Sequence, residues 1–168
     1  MKSKLIVWIA QGFGVGRIPF APGTWGSVLG VVWWWILLLG GLQTYVVLTV
    51  AAVLLSVPVC AAAERILGQK DPGSVVLDEI VAMPLVWMPV LLLSLNDWSH
   101  LPWQILHGGG LWKTAAGFVA FRVFDIWKPW PIRASQRLNG GWGVVADDVL
   151  AALVASWVPL GIWWWQVH

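Results

Sequence analysis

The chain has 168 residues, 59% of them hydrophobic and 11% charged, with a formal net charge of +2 and a mean hydropathy of +0.76. Soluble domains carry roughly 25% charged residues, so lipid must be the solvent for much of this surface, and the length suits a single domain over residues 1–168. No basic run appears and aromatics do not interleave with arginines, which excludes a nucleic-acid surface, and the one cysteine, Cys60, excludes an internal disulfide framework.

In chain order, the opening MKSKLIVWIAQGFGVG resembles a signal peptide, with Lys2 and Lys4 before an apolar run. The run is short and broken by Gly12, Gly14 and Gly16 instead of ending at a cleavage site, so it is expected to be retained as an interfacial segment. Five apolar stretches follow, at 25–42, 43–66, 75–95, 111–127 and 144–166. Crossing the hydrocarbon takes about 20 residues, which the second, third and fifth satisfy and the first and fourth approach. Gly40, Gly41 and Gln43 divide the first two, as in a tight helical hairpin. Pro58, Pro84, Pro89 and Pro159 fall inside spans, where kinks are tolerated if neighbours satisfy the freed carbonyls. The expected fold is all-α, an integral membrane bundle of about five helices with a polar site at its inner face.

Charge placement orients this bundle. Lys2, Lys4 and Arg17 precede the first span, Arg65 and Lys70 lie between the second and third, and Lys128, Arg133 and Arg137 between the fourth and fifth. The loop at 96–112 has no basic residue, and only Lys113 maps to the outer side. Positive residues stay cytoplasmic, which predicts a multi-pass protein of the inner (cytoplasmic) membrane with its N-terminus inside and its C-terminus outside. Glu64, Asp71, Asp78, Glu79, Asp125, Asp147 and Asp148 follow the same partition, with only Asp97 outside. Topology alone does not require this of carboxylates.

Three acidic groups sit where spans meet the inner boundary: Asp78 with Glu79, Asp125, and Asp147 with Asp148. Ionisable residues near lipid are costly unless paired or hydrated. Carboxylates converging from three helix ends would repel one another unless a cation joined them, and oxygen-only ligation suits Mg²⁺. The other reading is simple ion pairing, such as Asp125 with Arg122 one turn earlier. Among the basic residues, Lys128 follows Asp125 by three positions, and Arg133 and Arg137 would share a face if their loop forms a helical turn. They could hold an anion or anchor the loop to lipid headgroups. Arg17 precedes PFAPGTWGS, where Thr24 lies at a helix start, either beside a bound phosphate or simply as an N-cap.

Other chemistries fall away. The GxGxG at 12–16 lacks the later glycine and a strand. Cys60 and Arg65 are one residue short of a Cys-x5-Arg phosphatase loop. His100, His107 and His168 map to the side opposite the acids.

Four segments carry a resemblance: GFGVGRIPFAPGTWGS at 12–27, DPGSVVLDEIV at 71–81, FRVFDIWKPWPIR at 121–133 and GGWGVVADDVLA at 140–151. In this order, over nearly the whole chain, they resemble the signature segments of the phosphatidylglycerophosphatase A family. The departures are Ala152, where the family often has glycine, and Gln136, where many relatives have aspartate. The resemblance implies a helical, Mg²⁺-dependent membrane phosphatase that converts phosphatidylglycerophosphate to phosphatidylglycerol, and it gives weight to the same acids, Lys128, Arg17 and Thr24. The resulting expectation is a lipid phosphatase of phospholipid biosynthesis, acting on a membrane phospholipid. Asp78 or Asp148 acts as catalytic carboxylate, Glu79, Asp125 and Asp147 hold metal, and Arg17, Thr24, Lys128 and Arg133 bind substrate. The alternative is a small cation or proton pathway, or a scaffold subunit.

Overall fold

Prolines inside the apolar stretches act differently from one to the next: the helix over Gly41–Leu67 continues through Pro58, whereas the stretch that contains Pro84 breaks. The structure, a computed structural model, describes residues 2–93 and 110–167. Its helices are α1 (Lys2–Ala10), α2 (Pro22–Leu38), α3 (Gly41–Leu67), α4 (Leu77–Ala82), α5 (Met88–Leu93), α6 (Gly110–Trp127), α7 (Ile132–Ser135), α8 (Gly141–Ala155) and α9 (Trp157–Val167), with 3₁₀ turns at Gly12–Arg17 and Met83–Val86. Among the described residues no strand forms, as expected, but the helical segments outnumber five. The expected loop at 96–112 lies largely outside the described residues, with Asp97, His100 and His107, as does His168.

The helix count is corrected mainly at the third stretch. Pro84 has no N–H to continue the ladder, and its ring crowds the carbonyl four residues back. So α4 ends at Ala82, a 3₁₀ turn carries Met83–Val86, and a new helix starts at Met88. Neighbours hold the break together. Buried Tyr45 donates its hydroxyl to the Pro84 carbonyl at 2.5 Å. Trp87 stacks on Trp34, with ring centroids 4.1 Å apart, and Gly117 on α6 makes room, since a Cβ there would come within 2.8 Å of the Trp87 ring. The fifth stretch bends more gently at Ser156, between α8 and α9, because Pro159 cannot donate to the Ala155 carbonyl.

α3, by contrast, runs 27 residues, about 40 Å at 1.5 Å per residue, and stops at Gly68 in the left-handed conformation that glycine adopts without penalty. Two helical segments, Gly41–Leu67 and Gly141–Gln166, are long and apolar enough to cross a membrane. Val47, Val50, Leu54 and Leu55 stand exposed along α3, a surface that hydrocarbon covers better than water.

The N-terminal segment forms α1 and packs on α3. Its end is tied to the α4 region by Val76 N–H donating to the Ala10 carbonyl at 2.9 Å. α8 lies at the centre, against α3, α4, α6 and α7. Small residues on its inward face, Ala151, Ala152 and Ala155, are fully buried and permit close helix approach. This central position carries Asp147 and Asp148 into the interior.

Candidate active site

The acids come from three elements. α4 brings Asp78 and Glu79 in its first turn, α6 brings Asp125 in its last turn, and α8 brings Asp147 and Asp148. Asp78, Asp125, Asp147 and Asp148 are all buried, at 2–7% exposure. Asp78, Glu79 and Asp148 each offer an oxygen within 4.8 Å of the others. At that separation each like-charged pair costs on the order of 3 kcal/mol at an effective dielectric of about 20. Asp78 Oδ1 and Glu79 Oε2 are buried and have no hydrogen-bond partner among the described residues. A trio of crowded carboxylates with unpartnered oxygens suits a hard divalent cation, and an all-oxygen donor set matches Mg²⁺.

Asp125 and Asp147 are placed differently. Asp125 is ion-paired with Arg122 three residues earlier, the pairing open to it from spacing alone. Arg122 also donates to Ser27 Oγ at 3.3 Å, and Ser27 in turn donates to the Gly23 carbonyl at 2.8 Å. Asp147 accepts from Lys128 Nζ at 2.5 Å and from Gln136 Nε2 at 3.0 Å, with its Oδ1 left unpartnered among the described residues. Lys128 lies 3.8 Å from Asp125 as well, so one ammonium bridges two of the acidic groups. Burial alone would lower the Lys128 pKa. The hydrogen bond and charge of Asp147, with Asp148 and Asp125 nearby, outweigh that and hold it above its ordinary value.

Lys128 reaches this place because α6 ends there. Its backbone turns left-handed, φ 46°, its N–H caps the Phe124 carbonyl at 2.8 Å, and Pro129 prevents continuation. The following short helix brings Arg133 and Arg137 together on the wall of an open cleft of about 600 Å³, which Lys70 and Lys128 also line.

Thr24 is not an N-cap. Ala21 holds that position in a left-handed conformation, and the Thr24 N–H already donates to its carbonyl at 2.9 Å. The α2 terminus instead abuts Glu79, so closely that a Cβ on Gly23 would collide with Glu79 Oε1. A carboxylate at a helix N-terminus is favourably placed against the helix dipole. Thr24 does share an apolar groove with Arg122. Arg17 is exposed and held by Gln11, its Nε donating to Oε1 at 2.7 Å. Among the described residues it makes no ion pair with the five acids.

Spacing along the chain reveals Arg122 only as an ion-pair partner and does not reveal Ser27, which lies 95 positions from it. Gln136 stands out in the sequence as a departure from the family pattern, and the fold shows it to be the residue that fills out the Asp147 shell. No spacing rule exposes these long-range contacts.

Fold and side chains define a helical, membrane-associated protein built around buried carboxylates with a lysine bridging two of them. The family model described as phosphatidylglycerophosphatase A matches residues 8–163. The chain is 34% identical over 163 residues to a protein named phosphatidylglycerophosphatase A from Escherichia coli, covering 92% of this chain and 86% of that one. It is 39% identical over 161 residues to one of the same name from Haemophilus influenzae, covering 95% and 89%. A third relative, from Bacteroides thetaiotaomicron, is 37% identical over 168 residues, covering 93% and 96%, and is named, provisionally, a phosphatidylinositol-3-phosphatase. The chain belongs to the phosphatidylglycerophosphatase A family. No solved structure matches it.

Proposed function

We propose that the protein hydrolyses phosphatidylglycerophosphate to phosphatidylglycerol and inorganic phosphate, at the cytoplasmic face of the inner membrane and with Mg²⁺. The observation that carries the reading is the trio Asp78, Glu79 and Asp148, oxygens within 4.8 Å of one another, in a chain of this family. Phosphoryl transfer needs charge neutralisation and positioning more than covalent chemistry, and a divalent cation held by the crowded carboxylates, with the lysine nearby, would supply both. Family membership and this cluster together favour hydrolysis over a cation pathway or a scaffold.

Asp78, Glu79 and Asp148 would hold the ion. When bound, Mg²⁺ supplies Lewis-acid polarisation of phosphoryl oxygens and a bound water of lowered pKa. The chain's own groups do the rest. Lys128 lies between Asp125 and Asp147 and offers its ammonium to the transferring phosphoryl group. Asp125, fixed by Arg122, keeps Lys128 in place from one side, and Asp147 with Gln136 does so from the other. Each acid offers the ion one oxygen, and the second carboxylate oxygen of Asp78 or Asp148 takes the proton of the attacking water. The new P–O bond forms as the bond to the glycerol oxygen breaks, and the proton taken from the water passes from that carboxyl to the glycerol oxygen, which leaves as the hydroxyl of phosphatidylglycerol.

Cytoplasmic orientation is supported by the basic residues gathered before the first apolar stretch and around α4 and α7. A second substrate, phosphatidylinositol 3-phosphate, is favoured by the name of the Bacteroides relative. Phosphate release by purified protein in detergent, from each lipid and with Mg²⁺ or chelator, separates the two. Turnover of phosphatidylglycerophosphate that chelator stops and that exceeds turnover of the phosphoinositide is expected. A folded protein that releases no phosphate from either lipid would sink the reading.

A further inference from the structure

The cleft beside the carboxylates has the opposite character to them. Lys70, Lys128, Arg133 and Arg137 line it, and among the described residues no carboxylate does. Lys128 is already met by Asp147 and Asp125, which leaves Lys70, Arg133 and Arg137 as three exposed cations around one opening, and these repel one another unless an anion joins them. They come from separate parts of the chain: Lys70 follows α3, and its Nζ donates to the Gln136 carbonyl at 3.4 Å, which ties that connection to the loop before α8. At about 600 Å³ the cleft falls within the range of small-ligand sites, about 300–1,000 Å³, and exceeds the needs of one inorganic phosphate.

Its borders describe the rest of the ligand. Trp127 and Trp130 stand on the rim at 71% and 84% exposure, as indoles do at a headgroup boundary. Trp127 also lines the apolar groove of about 430 Å³ that contains Phe118, Val119 and Ile126. A molecule with an anionic group in the cleft therefore has an apolar wall to follow beyond the shared tryptophan. At its inner end the cleft reaches Lys128, whose ammonium touches Asp147 and lies near Asp125. Lys128 and Gln136 thus line the cleft and contact Asp147 as well.

We propose that this cleft seats the phosphodiester of the lipid, the phosphate that is kept in the product, while the terminal phosphomonoester is presented to the carboxylates. This rests on the phosphatase reading above. The substrate class it selects is a lipid whose headgroup carries a phosphodiester and a phosphomonoester on one short polyol. Lys70 and Arg137 become specificity-determining residues that discriminate against phosphatidate, which has a phosphomonoester alone. Both headgroups named among the relatives belong to this class.

Two measurements test it with Lys70→Ala/Arg137→Ala protein, in which both replaced side chains are exposed. The first is binding of short-chain phosphatidylglycerol by calorimetry, with short-chain diacylglycerol, which has no phosphate, as the control for apolar binding. Phosphatidylglycerol has the diester and nothing to hydrolyse, so this arm is independent of catalysis. Its Kd should rise about tenfold in the variant, the worth of one charge-assisted hydrogen bond; an unchanged Kd overturns the assignment. The second is the ratio of kcat/KM for phosphatidylglycerophosphate to that for phosphatidate. A fall of about tenfold in this ratio is expected by the same arithmetic, carried by KM, and an equal loss on both substrates also overturns the assignment. If wild-type protein hydrolyses neither lipid yet binds phosphatidylglycerol through these residues, the phosphatase reading fails and the cleft assignment stands.

Discussion

Two sets of acids, all buried but the half-buried Glu79, lie side by side in this protein and differ in whether a basic residue of the chain is ion-paired with them. Asp125 and Asp147 are met by Arg122, Lys128 and Gln136. Asp78, Glu79 and Asp148 crowd together, and oxygens of the first two have no partner among the described residues. Burying unpaired charge is expensive, whereas a satisfied pair stands close to neutral in cost. The first set therefore reads as a frame that fixes Lys128, and the second as a site that a cation completes.

This contrast can be broken in several ways. The largest effect is expected on turnover. Asp148→Asn or Glu79→Gln should lower kcat by about 10²–10³-fold, as deletion of a preorganised transition-state stabiliser does, checked by phosphate release with saturating Mg²⁺. Next is stability in the paired set. Asp125→Ala leaves the half-buried Arg122 with Ser27 but without its ion-pair partner and should cost about 1–3 kcal/mol, read from chemical denaturation in detergent. The unpaired set should behave in the opposite way: with chelator present, Asp148→Asn relieves repulsion and should raise Tm. Mg²⁺ at 100 times its Kd should stabilise wild-type protein by about 2.7 kcal/mol and have little effect on that variant, as thermal shift would show. The smallest effect belongs to Gln136→Ala, which removes one neutral donor from Asp147 and should cost about 1 kcal/mol.

Much of this architecture is legible in the sequence. The apolar stretches at 25–42, 43–66 and 111–127 reappear as α2, α3 and α6, the first and last with no proline after the opening turn and α3 continuing through Pro58. The stretch at 75–95 is not legible as a break. Pro84 is visible in the sequence, but whether a proline kinks a helix or ends it depends on what satisfies the freed groups, and Tyr45 lies 39 positions away. The acids are legible as a group because ionisable residues stand out in an apolar chain. Which acid meets which base is legible only for Arg122 and Asp125, one turn apart. Lys128 with Asp147, 19 positions apart, depends on how α6 and α8 pack. Thr24 reads as a cap by residue type but is not one, because Ala21, which gives no sequence signal for a left-handed turn, begins α2.

The most direct test of the central claim is the Mg²⁺ dependence of phosphate release from phosphatidylglycerophosphate, for wild-type protein and for Asp78→Asn, Asp148→Asn and Gln136→Ala. The expected result is saturable dependence on Mg²⁺ in wild-type protein, reduced turnover with a retained Mg²⁺ dependence for Gln136→Ala, and loss of turnover in the two aspartate variants that added Mg²⁺ does not restore. Full activity in chelator, or wild-type curves from Asp78→Asn and Asp148→Asn, would contradict it.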